Sequence, residues 1–173
     1  MIFRISAPVS VSSVPRGLRP AARVLLSGEV FTLRDMSLAK LRKRSSVVPL
    51  SGAAVYFCAP TRGGGSRRSP VSCGPTTSAR MAAGIPFLVG RGVKIFIGKG
   101  PLPSAILRVI ARSGGVYLTA VGGCGAYYSR FVKKLSVAAF PELGAEAVLK
   151  LVVGEMPLAV SPSVSEDKGF SKK

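Results

Sequence analysis

The chain has 173 residues, with 25 Lys and Arg against 7 Asp and Glu, a formal net charge of +18 and 47% hydrophobic residues. That length and apolar content give one domain with a real core and exclude a disordered basic tail. With no histidine, the chain supplies no imidazole base, no His-dependent triad and no HExxH zinc site.

The positive excess should draw anions to the surface, without saying which. Cys58, Cys73 and Cys124 are far apart and form no CxxC pair. Neither a zinc finger nor a self-contained iron–sulfur ligand set is visible, and each thiol reads as a small buried side chain. The uncharged run between Arg112 and Arg130 is broken by glycines and is too short to span a membrane. The first 28 residues carry Arg and Ser but no acid, as a transit peptide would. Pro8, Pro15 and Pro20 spoil an amphipathic helix there, so the beginning is read as part of the domain.

The pattern predicts an extended segment over 23–34 with a glycine in its middle. Asp35 then caps a short basic helix over 36–44. Residues 53–58 (AAVYFC) read as a buried strand and 61–72 as a flexible basic loop. From Gly74 onward, strands and helices alternate. A weak helix over 81–89 contains Gly84 and Pro86. A strand over 93–97 ends in Gly98-Lys99-Gly100. The best helix is 103–113, with prolines before it, Ala105, Ile106, Val109 and Ile110 on one face, and Gly114-Gly115 after it. Strands follow at 116–121 and 135–140, then a helical turn within 141–148 and a last strand at 158–160. The domain is expected to cover 1–161, with a polar, frayed tail over 162–173.

Several glycine-rich features resemble phosphate loops only superficially. In 92–100 (GVKIFIGKG) the spacing is one residue too long for a Walker loop, and Gly100 stands where Ser or Thr is required. Gly122-Gly123-Cys124-Gly125 lacks the third glycine of GxGxxG. Arg42-Lys43-Arg44, Arg67-Arg68 and Lys133-Lys134 favour nucleic acid, but no binding signature or interleaved aromatics accompany them. The segment 74–80 (GPTTSAR) places three hydroxyls before a predicted helix, with Arg80 after them. It reads either as a carboxylate or phosphate site or as an N-cap turn with a surface arginine.

Four further stretches join it in order: LSGEVFTLRD (26–35), IGKG (97–100), GVYLTAVGG (115–123) and PELGAEA (141–147). Together with GPTTSARM (74–81) they resemble the β subunit, or C-terminal domain, of the class I iron–sulfur fumarate hydratases and L(+)-tartrate dehydratases. The resemblance covers 23–157. It implies an α/β fold, a swivelling β/β/α domain with a mixed sheet and flanking helices. It also implies an α-subunit partner carrying a [4Fe-4S] cluster, a small dicarboxylate substrate, a heterotetramer or larger assembly, a cytoplasmic location, and no membrane or nucleic-acid partner.

Carried over residue by residue, the resemblance makes Thr76 the catalytic base and makes Arg34, Arg80 and Lys99 substrate clamps. Fumarate and malate are dianions, so cations at both ends suit them. An aci-carboxylate formed by proton removal would be stabilised by the same cations. This chain has Leu38 where the family pattern has a His. Ala82 stands where it has an Asp, followed by Ala83-Gly84-Ile85 in place of an aromatic region. The resemblance therefore implies a fumarate hydratase β subunit. The alternatives are an L(+)-tartrate dehydratase β subunit, or a non-catalytic basic binding protein on the same fold.

Overall fold

A computed structural model describes residues 2–9, 14–15, 17–62 and 70–161, so the expected tail and the Arg67-Arg68 pair lie outside the described residues. The chain begins with strand β1 (Ile2–Ala7), then β2 (Arg23–Thr32), helix α1 (Asp35–Lys43) and β3 (Ala54–Tyr56). A small antiparallel pair, β4 (Thr61–Arg62) and β5 (Pro70–Ser72), occupies the two ends of the segment 61–72, which was expected to be loop throughout. Next come a 3₁₀ turn (Ser78–Gly84), α2 (Ile85–Gly90), β6 (Ile95–Gly98), α3 (Ser104–Arg112) and β7 (Val116–Thr119). The last elements are α4 (Gly125–Ser129), β8 (Val132–Ala139), a 3₁₀ turn (Pro141–Glu146) and β9 (Val148–Val160).

Strands β2, β3, β6 and β7 are parallel neighbours. The long β9 runs antiparallel to β7 and also to β2, so these five strands close into a circuit. β1 extends it parallel to β2, and β8 pairs antiparallel with β9.

Both faces of the central strands are buried, which is why 53–58 and 95–97 are continuously apolar rather than alternating. Ala54, Tyr56, Ile95, Ile97, Val116 and Leu118 face an inner core with Val24, Leu26, Leu151 and Met156. Their neighbours Val55, Phe96 and Tyr117 face the other way, against Leu38 and Leu41 of α1, Ile85 and Leu88 of α2 and Leu107 and Ile110 of α3. The result is a mixed α/β domain, a closed sheet with α1, α2 and α3 on its outer side and Tyr128 of α4 in the inner core. Among the described residues, no helix is long and apolar enough to cross a membrane.

Several elements depart from the expected ones. β9 is 13 residues long, whereas only its last three residues read as strand. Gly154 and Pro157 disguised it as breakers. They are accommodated beside a bulge in β9, where Gly154 and Glu155 (φ +50) oppose the single residue Ser27 of β2 and the Glu155 N–H donates to Ser27 Oγ at 2.9 Å; Gly28 of β2 stands next to it (φ +99). A Cβ on Gly28 would lie 2.0 Å from the Ala7 carbonyl oxygen, so the close approach of β1 requires glycine here. The predicted helix over 81–89 divides into the 3₁₀ turn and α2, because Pro86 suits the first turn of a new helix. Asp35 is not the cap of α1. Arg34, extended at φ −135° and ψ −172°, holds that position, and Asp35 is the first helical residue.

Candidate active site

The parallel strands β2, β3, β6 and β7 end on the same side of the sheet. In α/β folds, whether the sheet is open or closed, ligands bind beyond the carboxyl ends of the parallel strands. Arg34 lies just beyond β2, Cys58 just beyond β3, Lys99 directly after β6, and Gly122 beyond β7. The segment 74–80 crosses this edge. Pro75 bridges Cys58, the Thr76 N–H donates to Phe57 O at 2.7 Å, and the Lys99 N–H donates to Thr76 O at 3.2 Å. Ser78 N–H donates to Lys99 O at 2.9 Å, and Thr77 forms a parallel bridge with Lys99. Thr76 and Lys99, 23 positions apart in the chain, are therefore held together by backbone pairing.

The three hydroxyls of this segment divide by burial. Ser78 is fully buried, Thr77 is exposed and Thr76 is half-buried. Ser78 Oγ accepts from the Lys99 N–H at 3.1 Å and lies 2.9 Å from the Tyr117 hydroxyl, which donates to Gly100 O at 2.6 Å. Burial raises the Tyr117 phenol above its usual range, with the Ser78 bond opposing, so it remains a neutral donor. Thr76 Oγ1, by contrast, is 3.4 Å from Arg80 Nη2. The sequence does place Thr76 and Arg80 four residues apart, and the 3₁₀ turn brings their side chains to one side.

The same Arg80 Nη2 donates to Asp35 Oδ2 at 3.0 Å. Arg34 points toward Glu146, with Nη2 3.8 Å from Oε1. Its Nε is buried without a hydrogen-bond partner. Glu146 Oε2 accepts from the Met36 N–H at 2.8 Å, so it satisfies one of the open donors at the start of α1. The cap is completed by Ser37, whose Oγ accepts from the Arg34 N–H at 2.9 Å. Lys99 extends over Gly122, where a Cβ would stand 2.7 Å from its Cδ. Its ammonium has no ion-pair partner among the described residues.

All four candidates, Arg34, Thr76, Arg80 and Lys99, thus lie along one edge of the sheet. Asp35, Glu146 and Tyr117 were not singled out for the site from sequence, whereas Ser78 counted among its three hydroxyls and is instead buried beneath it. One signal was available: no acid stands anywhere between Asp35 and Glu142.

Cys58 and Cys73 are buried with their sulfurs 3.7 Å apart, behind the segment that carries Thr76. Burial holds the Cys58 thiol well above its usual range, which keeps it protonated. Among the described residues, no group of three or more His, Cys, Asp or Glu could hold a metal ion.

The fold and this edge define a mixed α/β domain with a cationic, hydroxyl-bearing rim. Residues 8–171 match the model of the family described as Fumarase C-terminus, and the chain belongs to that family. It is 30% identical over 154 residues to "Fumarate hydratase 2" of Leishmania major, covering 85% of this chain and 26% of that protein. It is 30% identical over 156 residues to "Fumarate hydratase class I, aerobic" of Salmonella typhimurium, covering 86% of this chain and 26% of the relative. A Methanocaldococcus jannaschii protein, provisionally named L(+)-tartrate dehydratase subunit beta, is 33% identical over 148 residues, covering 80% of this chain and 76% of its own length. The chain therefore spans about a quarter of the length of the fumarate hydratases named here.

Proposed function

We propose that this chain is the β component of a two-part iron–sulfur hydro-lyase that reversibly hydrates fumarate to (S)-malate. The observation that carries this reading is that Arg34, Thr76, Arg80 and Lys99 lie along one sheet edge, with Arg80 beside Thr76. Three cations suit a dianion, and both arginines can form paired bonds to a carboxylate. The rim is also open. Arg80 is half-exposed and Lys99 is exposed, as expected of half a site that a second component covers. That component would be an α subunit holding the [4Fe-4S] cluster, in a heterotetramer or larger assembly. When bound, such a cluster supplies a Lewis acid for the substrate's carboxylate and hydroxyl.

The roles of this chain's residues follow from charge. In the malate-to-fumarate direction, a proton leaves the carbon beside one carboxylate and hydroxide leaves the neighbouring carbon. Thr76 Oγ1 takes that proton as an alkoxide, its own hydroxyl proton having passed to water, so that the departing hydroxide and that proton together make up the water released. A free threonine hydroxyl is a poor base, and Arg80 at 3.4 Å lowers the cost of negative charge on its oxygen. Arg34 and Lys99 bind the carboxylates and stabilise the charge that builds on the one beside the reacting carbon. Ser78 and Tyr117 keep the loop in place and touch no substrate.

A second reading, an L(+)-tartrate dehydratase β subunit, is favoured by one observation. The relative of comparable length carries that name. Co-expression with a cluster-bearing α component and anaerobic assay tests both. The reading expects an inactive lone chain and an active complex with higher kcat/KM for fumarate than for L-tartrate. Preference for tartrate supports the second reading, and a complex inactive on fumarate, malate and tartrate overturns both.

A further inference from the structure

The chain has only seven acids against 25 Lys and Arg, yet two of the seven meet the two site arginines. Both arrive at the first turn of α1. Asp35 is the first residue of that helix and accepts from Arg80 at 3.0 Å. Glu146 comes from the far end of the chain, accepts from Met36 N–H at 2.8 Å and faces Arg34 at 3.8 Å. One turn of helix therefore joins three separate segments, each carrying part of the rim: 34–36, 76–80 and 141–146.

We infer that Asp35 is a positioning residue, which holds the Arg80 guanidinium beside Thr76 so that a dicarboxylate meets a preset cation. The inference rests on the proposed hydro-lyase reading. Its physical ground is the shared nitrogen. Arg80 Nη2 is the atom that reaches both Asp35 Oδ2 and Thr76 Oγ1. An arginine side chain has many rotamers, and fixing one of them removes an ordering cost from substrate binding. Asp35 itself is fixed, because an acid at the first helical position is favoured by the helix dipole. The pair is about half-exposed on both sides, so its contribution to stability is small and its effect falls on geometry. Glu146 braces Arg34 from the other flank by the same logic.

Two measurements test this. The first uses the full chain and needs no activity. Phenylglyoxal labelling of Arg80, read by peptide mass spectrometry against Arg112 in the same sample, reports how firmly the guanidinium is held. Asp35→Ala should speed Arg80 labelling by about threefold or more, because the ion pair no longer has to break, and should leave Arg112 unchanged. The second uses the complex with the α component. Asp35→Ala should raise KM for the dicarboxylate about tenfold with a smaller fall in kcat, and Asp35→Asn, which keeps an oxygen for Arg80, should restore most of it. The melting temperature should barely move in either variant. Unchanged Arg80 labelling overturns the inference. So does a KM that stays at the wild-type value, or activity that falls only in step with melting temperature. If the wild-type complex turns over none of the three substrates, the hydro-lyase reading fails, and labelling alone decides whether Asp35 holds Arg80.

Discussion

Tyr117, in the buried strand β7, places its hydroxyl 2.9 Å from Ser78 Oγ, at the start of the turn that carries Arg80. The contact joins the helix-side core to the rim. Through Ser78 it also reaches the Lys99 N–H, and through its own proton the Gly100 carbonyl. Tyr117→Phe leaves both partners short of a bond in a buried place. We expect a stability loss of about 1–3 kcal/mol, measured by urea titration. In the assembled enzyme, kcat should fall as well, since Thr76 and Lys99 are positioned from this anchor. An unchanged urea midpoint would show that the loop is anchored by its backbone pairing alone.

Gly98 is tightly constrained. A Cβ there would stand 1.8 Å from Ser78 Oγ and 3.2 Å from a carbon of the Phe57 ring. Gly98→Ala must push Ser78 away from Lys99 and Tyr117, and overpacking of this kind costs about 1–3 kcal/mol. The expected outcome is a melting temperature lower by several degrees and reduced turnover in the complex. A variant with wild-type melting behaviour would mean that Ser78 can rotate away freely.

Leu38 and Gly84 fit together across the α1 interface. A Cβ on Gly84 would lie 2.2 Å from Leu38 Cδ2, and Leu38 is buried in the helix-side core. The missing side chain at Gly84 leaves the space that Leu38 fills. Gly84→Ala should therefore destabilise, Leu38→Ala should cost about 2–5 kcal/mol, and the double variant should be more stable than the sum of the two losses predicts. Strict additivity in thermal or urea unfolding would contradict the packing account.

Alkaline pH gives a separate test through Tyr56. This phenol is fully buried, donates to Cys73 O at 2.8 Å, and has its ionisation pushed far above the usual range, first by burial and then by the neighbouring thiols. The native state thus keeps a proton that the unfolded chain releases above about pH 10. Stability is complete below that pH and is lost as pH rises toward the native value, by up to about 1.4 kcal/mol per unit. Tyr56→Phe should be less stable at pH 8, having lost a buried bond, but should decline less steeply between pH 9.5 and 11. Parallel declines in wild type and variant, followed by circular dichroism, would contradict this.

Local chemistry made some elements legible and left others hidden. Helix 103–113 could be read because its stop and start signals agree, and α3 occupies Ser104–Arg112; its buried face is Leu107 and Ile110 with Ile106 partly buried, whereas Ala105 of the expected face is exposed. The central strands could be read because burial on both faces leaves continuous apolar runs. β9 was hidden because its glycine and proline sit at or beside a bulge that forms only where β9 pairs with β2, a fact of pairing across more than a hundred residues. α4 was hidden too. Its Gly125 looked like turn punctuation, but the residue is small because Ser72 Oγ would stand 2.2 Å from a Cβ there. At the site, side chains within one short segment, such as Thr76 and Arg80, could be paired from spacing. Asp35 looked like a helix cap because the helix start is a local signal, whereas its partner Arg80 lies 45 positions away. Glu146, 110 positions from Met36, carried no local signal beyond the scarcity of acids.

The central claim is that Thr76, beside Arg80, moves the proton. The direct measurement is kcat for fumarate hydration by the anaerobically assembled complex containing Thr76→Ala, with substrate affinity and melting temperature measured in parallel. The account predicts a loss of about a hundredfold or more in kcat, with folding intact and KM little changed. Turnover at the wild-type rate by a correctly folded Thr76→Ala complex would contradict it.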